Sequence, residues 1–111
     1  MTRVIRLAGL VAVAMFIGGV GSASAQASGE TVYAAQKCSM CHALDGKGQA
    51  KGPLDGVGTK LTADEIRQWI VDPATMTKKA NATRKPPMKA YPNLPKADLD
   101  ALVAFLAAKK K

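Results

Sequence analysis

The sequence is constrained most by one five-residue stretch, Cys38-Ser39-Met40-Cys41-His42. It contains both cysteines and the only histidine of the 111-residue chain. Cys-x-x-Cys-His is the attachment motif of haem c, in which the two thiols bond to the two vinyl groups of the porphyrin. The imidazole of the next residue is then placed beside the iron. The motif therefore predicts one haem c, held covalently by Cys38 and Cys41 and ligated by His42.

A Cys-x-x-Cys pair has three other uses in proteins. A thioredoxin-like redox pair requires a βαβ context, and no part of the sequence has the pattern of a strand. A structural zinc site takes four nitrogen or sulfur ligands, whereas this chain has two cysteines and one histidine. A disulfide across a two-residue loop would be strained. Haem attachment is the favoured interpretation.

The first 25 residues have the pattern of a secretory signal peptide. A short segment over residues 1–6, with Arg3 and Arg6, precedes an apolar run over residues 7–20, and Ala-Ser-Ala at residues 23–25 is a typical cleavage site. The apolar run is shorter than the ~20 residues of a membrane-spanning helix, although an uncleaved anchor is the alternative. We predict a signal peptide over residues 1–25, one domain over residues 26–111, a periplasmic location and no stable membrane insertion after cleavage.

The chain is basic, with 16 Lys and Arg residues, 8 Asp and Glu residues and a formal net charge of +8. Such a surplus steers a protein towards partners with an acidic surface. The candidate steering residues flank the expected haem-binding loops: Lys47, Lys51, Lys78, Lys79, Lys85 and Lys89. A nucleic-acid partner is not expected, because no recognition motif accompanies the basic residues.

The apolar periodicity predicts an all-α protein. Residues 31–37 are expected to form a helix that continues into the haem motif, and residues 61–71 a second helix that begins with a Thr62–Glu65 capping box. Residues 95–108 carry apolar side chains at helical spacing and predict the last helix. The segments between them are expected to be loops: residues 43–58, and residues 74–90 with at most about one helical turn.

The function depends on what binds the iron on the side opposite His42. The chain has no second histidine, and Met40 lies within the attachment turn, from which it cannot reach that side. Met88 follows Pro86-Pro87, whose fixed φ angles can hold a loop stiff. Met88 is therefore the favoured ligand and Met76 the alternative. A bound thioether suits electron transfer, whereas an open site suits gas binding or peroxide chemistry.

The order of these residues resembles that of class I c-type cytochromes. The matching positions span most of residues 26–111: Gly29, Tyr33, Cys38–His42, Lys51–Gly58, Trp69–Pro73, Met88, Tyr91, Leu94 and Leu102–Leu106. The resemblance implies three to five short helices around one haem c. It also implies that Gly29 and Tyr33 of the first helix cross Leu102 and Phe105 of the last.

The same resemblance extends to side chains around the haem. It implies that Pro53 packs against His42 and that its carbonyl accepts a hydrogen bond from the imidazole Nδ1–H. Trp69 is expected to pack against the haem edge, with an indole hydrogen bond to a propionate as the alternative. Tyr91 is the remaining candidate haem contact.

We therefore expect a soluble, monomeric one-electron carrier that cycles between Fe(III) and Fe(II) and is not an enzyme. Its partners would be redox proteins with acidic docking faces. One alternative is a haem subunit of a larger redox complex. The other is a ligand-binding or peroxidase-like protein with a labile sixth site. Because the domain is small, the haem should supply much of its core, and the chain without haem should fold poorly.

Overall fold

The computed structural model describes residues 28–111. The predicted signal peptide lies outside these residues, so it stays a prediction, as does the periplasmic location. The helices are α1 (Gly29–Ala35), α2 (Val57–Lys60), α3 (Ala63–Val71), α4 (Pro73–Ala80) and α5 (Lys96–Ala107). Two two-residue strands, β1 (Ala43–Leu44) and β2 (Lys47–Gly48), pair antiparallel between α1 and α2. The five helices confirm the all-α prediction, although the sequence did not predict this short strand pair.

The crossing of α1 over α5 organises the core, as the resemblance implied. A Cβ atom on Gly29 would collide with the carbonyl oxygen of Ala101 and with the Cβ of Phe105. Glycine therefore lets the two helix backbones approach closely. The ring of Tyr33 lies 5.9 Å from that of Phe105 at an interplanar angle of 58°, a tilted arrangement favourable for aromatic pairs. Buried Leu102 of α5 completes this contact.

α1 does not continue into the haem motif, which corrects the prediction of one continuous helix. The helix begins at Gly29, where the Ser28 hydroxyl oxygen accepts a hydrogen bond from the backbone N–H of Thr31 at 3.1 Å. It ends at Ala35, and Lys37 adopts a left-handed φ of 56°. This reversal starts a separate turn of 3-10 helix over Cys38–Met40.

The predicted capping box of α3 is present. The Thr62 hydroxyl oxygen accepts from the Glu65 N–H at 3.2 Å, and the Glu65 carboxylate accepts from the Thr62 N–H at 3.1 Å. Both bonds satisfy donors that the first helical turn leaves free. Ile66 and Ile70 of this helix are buried in the same cluster as Leu102.

The expectation of a loop over residues 74–90 is wrong for its first part, where α4 forms. Asp72 ends α3 and also caps α4, because its carboxylate accepts from the N–H and the hydroxyl of Thr75 at 3.4 and 2.7 Å. Pro73 occupies the first turn of α4, where its missing N–H costs nothing. Met76 is buried on this helix.

Each helix within residues 28–111 is too short or too polar to span a membrane.

Candidate functional site

The haem motif forms a tight turn that directs its side chains to one place. The backbone N–H groups of Cys41 and His42 both donate to the Cys38 carbonyl, at 3.1 and 2.9 Å. Both thiols and the imidazole border a cavity of about 340 Å³, a size typical of small-molecule sites.

The cavity brings together most of the site residues that the sequence predicted. Of these residues, Pro53 does not border the cavity, and the following six do: Cys38, Cys41, His42, Trp69, Met88 and Tyr91. Its remaining wall is mainly apolar and includes side chains from α2, α3, α5 and the link between α2 and α3: Val57, Leu61, Ile66, Ile70, Leu102 and Leu106. Met88 is half-buried and packs against the core cluster.

The two alternative methionines lie elsewhere. Met76 does not border the cavity and is 7% exposed on α4. Met40 also lies outside the cavity wall and is 71% exposed. Of the methionines in residues 28–111, Met88 is the one that borders the same cavity as His42.

The partner of the His42 imidazole is Gly52, which corrects the expected bond to Pro53. Nδ1 of His42 lies 3.0 Å from the Gly52 carbonyl oxygen, and since a carbonyl only accepts, Nδ1 carries the proton. The same oxygen accepts from the Ala43 N–H at 3.0 Å. This backbone register places the carbonyl of Gly52, one residue before the expected one, beside the imidazole. Pro53 itself is exposed.

The electrostatic environment favours a neutral imidazole at position 42. Burial lowers the pKa of His42, the bond to Gly52 opposes this shift, and the positive charge of Arg84 lowers the pKa further. With Nδ1 protonated, the lone pair on Nε2 is available to a metal ion. His42 could therefore hold the iron of a haem through Nε2.

The pKa of the Cys38 thiol is shifted in the direction opposite to that of a reactive redox cysteine. Burial raises the pKa of the Cys38 thiol. A backbone hydrogen bond lowers this pKa, and the nearby Cys41 raises it, so that the net shift is upward. Reactive cysteines of thioredoxin-like proteins have a lowered pKa. The direction of this shift therefore gives no support to a thioredoxin-like function.

The residues at the cavity fit a haem. The Tyr33 hydroxyl is buried at the cavity wall and has no hydrogen-bond partner within residues 28–111. Burial raises the pKa of Tyr33, so this hydroxyl stays protonated. A large apolar macrocycle suits the apolar wall, the two thiols suit its vinyl groups, and the imidazole and thioether suit its iron. Tyr91 is fixed nearby, since its hydroxyl donates to the Gln36 carbonyl at 3.3 Å.

Sequence reasoning missed two residues of this site. Gly52 was counted only as part of the resemblance, and Arg84 lies in the loop that was expected over residues 74–90. In the structure, Arg84 borders the cavity and donates to the Cys41 carbonyl at 2.6 Å. Nothing local in the sequence could have indicated this contact, because the two residues are 43 positions apart.

Comparison with known proteins agrees with the geometry of the site. The cytochrome c family model matches residues 26–110. Cytochrome c oxidase subunit 2 of Alkalihalophilus pseudofirmus is 31% identical over an alignment of 91 residues, and the match covers 74% of this chain and 25% of that protein. The chain thus spans about a quarter of the length of this curated relative. No solved structure matches the chain. Together with the Cys38–His42 motif, the family match shows that the chain belongs to the cytochrome c family, the electron-transfer haemoproteins that carry covalent haem c.

Proposed function

We propose that this protein is a soluble one-electron carrier in which His42 and Met88 ligate the iron of a single haem c. The observation that supports this proposal best is that Met88 borders the same cavity as Cys38, Cys41 and His42. Haem c supplies reversible Fe(III)/Fe(II) chemistry when bound, and a thioether ligand raises its potential.

Each part of the site has a distinct task in such a carrier. The thioether bonds of Cys38 and Cys41 prevent loss of the cofactor between partners. The Gly52 carbonyl fixes the orientation of the His42 ring and increases its basicity. The apolar wall excludes water, and the exclusion of water helps to set the redox potential. If His42 and Met88 both hold the iron, a substrate would have no position on it.

A second candidate function is that of a haem subunit in a larger redox complex. The similarity to a protein called cytochrome c oxidase subunit 2 favours it. Size-exclusion chromatography of the holoprotein in a native extract distinguishes a carrier from a subunit. A carrier elutes at the size of a single chain, whereas a subunit elutes with the other chains of its complex.

We expect the reduced holoprotein not to bind carbon monoxide, because Met88 would occupy the sixth position. The measurement is the Soret absorption before and after addition of the gas. The Met88→Ala variant is the positive control and should form the carbon monoxide adduct. Rapid and complete binding by the wild-type protein would contradict the proposed carrier and favour a ligand-binding haem protein.

We also propose that the redox partner presents an acidic face to the mouth of this cavity. Within residues 28–111, the Lys and Arg residues that border the cavity are Lys37, Arg84 and Lys89, and no Asp or Glu borders it. Neighbouring Lys85 is exposed. Charge of one sign at this position would steer an oppositely charged partner to it.

We expect oxidation of the reduced protein by hexacyanoferrate(III), an anion, to slow as ionic strength rises, because salt screens attraction beyond roughly 10 Å at 0.1 M. Oxidation by a cationic cobalt(III) complex should become faster with salt. Lys89→Gln should slow the reaction with the anion at low salt, whereas Lys60→Gln, at the end of α2, should not. Stopped-flow rates that do not depend on salt would remove the steering proposal.

A further inference from the structure

The segment that carries Met88 is held to the rest of the molecule by few contacts. Backbone hydrogen bonds fix its two ends: Ala82 donates to the Thr77 carbonyl at 3.0 Å, and Tyr91 donates to the Ile70 carbonyl at 2.9 Å. Between them, residues 83–90 make no backbone hydrogen bond to any other part of residues 28–111. Met88 is half-buried, and the other residues of this stretch are exposed.

Arg84 forms the polar contact between this segment and the haem-attachment turn. Its Nη2 atom donates to the Cys41 carbonyl oxygen at 2.6 Å. That carbonyl accepts no backbone hydrogen bond from residues 28–111, so the guanidinium satisfies it. A hydrogen bond from a charged donor is stronger than one between neutral groups. Arg84 therefore joins the segment of one proposed axial ligand to the turn of the other.

Gly52 makes room for this contact. A Cβ atom at position 52 would collide with the Arg84 guanidinium and with the Cys41 carbonyl oxygen. The backbone of Gly52 has no left-handed φ, so space rather than backbone conformation favours glycine here. Its carbonyl is also the acceptor for His42. The residues around this contact thus form one continuous group beside the cavity: Arg84, Cys41, Gly52 and His42.

We propose that Arg84 is a positioning residue that holds the Met88 segment against the attachment turn and so keeps the sixth ligand in place. The proposal rests on the proposed ligation by Met88. Without the Arg84 bond, residues 83–90 would be fixed only at their ends and by the packing of Met88. The thioether would then leave the iron more often, and an added ligand could enter more easily.

The test is a titration of the oxidised holoprotein with imidazole, followed through the weak sulfur-to-ferric charge-transfer band. Arg84→Gln should bind imidazole roughly tenfold more tightly than the wild type, given the usual strength of a hydrogen bond to a charged group. Arg84→Lys, which keeps a charged donor, should recover part of the wild-type behaviour. Lys85→Gln is the matched control, since it removes the neighbouring exposed charge, and it should resemble the wild type.

Gly52→Ala tests the contact by a second route, because its Cβ would press on both partners of the bond, the guanidinium and the Cys41 carbonyl oxygen, and would leave the charge of Arg84 in place. Its effect and that of Arg84→Gln should be less than additive in the double variant, as expected for two changes to one contact. Wild-type imidazole affinity in Arg84→Gln would overturn the proposal, and so would an equal effect of Lys85→Gln. Circular dichroism melts confirm that each variant is folded.

The sulfur-to-ferric band of Met88→Ala also distinguishes a failure of the Arg84 proposal from a failure of ligation by Met88. If Met88→Ala keeps the band, ligation by Met88 fails, and the positioning role of Arg84 fails with it. If Met88→Ala loses the band and Arg84→Gln still binds imidazole like the wild type, only the positioning role fails.

Discussion

The Cys38→Ala, Cys41→Ala double variant should lose its covalent haem and, with it, cooperative folding. The cavity lies between core side chains of α3 and α5, and no large side chain in residues 28–111 is less than 2% exposed. Without haem, the apolar side chains around this cavity of about 340 Å³ would be exposed to water or left without packing partners. A small domain is stable by only about 5–15 kcal/mol, so the loss of this part of the core should abolish cooperative folding.

The measurement is a thermal melt of the double variant followed by far-ultraviolet circular dichroism. Ser39→Ala, in the spacer between the two cysteines, is the control and should keep both haem and melt. A haem-free double variant that shows wild-type helicity and a cooperative melt would contradict the view that the haem completes the core.

Replacing Met88 by alanine should lower the midpoint potential. A thioether ligand stabilises the reduced iron and raises the potential, and axial ligands tune haem potentials over roughly 0.8 V. We therefore expect a fall on the order of 0.1 V or more for Met88→Ala, measured by potentiometric titration of the holoprotein.

Met76→Ala is the matched control for this change. Met76 is buried on α4 and lies outside the cavity wall. Its truncation should reduce stability by about 2–5 kcal/mol, the usual cost of Met→Ala in a core, and leave the potential near that of the wild type. The reverse pattern, with the potential shifted by Met76→Ala and unchanged by Met88→Ala, would show that Met76 and not Met88 supplies the sulfur ligand.

Local chemistry explains which features the sequence could predict. Haem attachment needs two thiols and an imidazole at fixed spacing, and Cys38–His42 supplies them in five consecutive residues. The capping box needs only Thr62 and Glu65, three positions apart, and it forms as predicted. The apolar face of α5 repeats at helical spacing, so its bounds, Lys96–Ala107, differ by one residue at each end from the predicted 95–108.

The features that were missed depend on context. The helix predicted over residues 61–71 stops just before Asp72-Pro73, and these two residues also begin α4, because an Asp cap and a Pro in the first turn suit a helix start. The acceptor for His42 is set by the backbone register around Ala43, which moves it from Pro53 to Gly52. The bond from Arg84 to Cys41 joins distant parts of the chain and required the folded structure.

The charge-transfer band of the oxidised holoprotein tests most directly whether this cytochrome is an electron carrier with His42 and Met88 as its axial ligands. The wild-type protein and Met76→Ala should show the weak sulfur-to-ferric band, and Met88→Ala should lose it. A wild-type spectrum without the band, or a Met88→Ala spectrum identical to that of the wild type, would contradict ligation by Met88 and with it the proposed carrier.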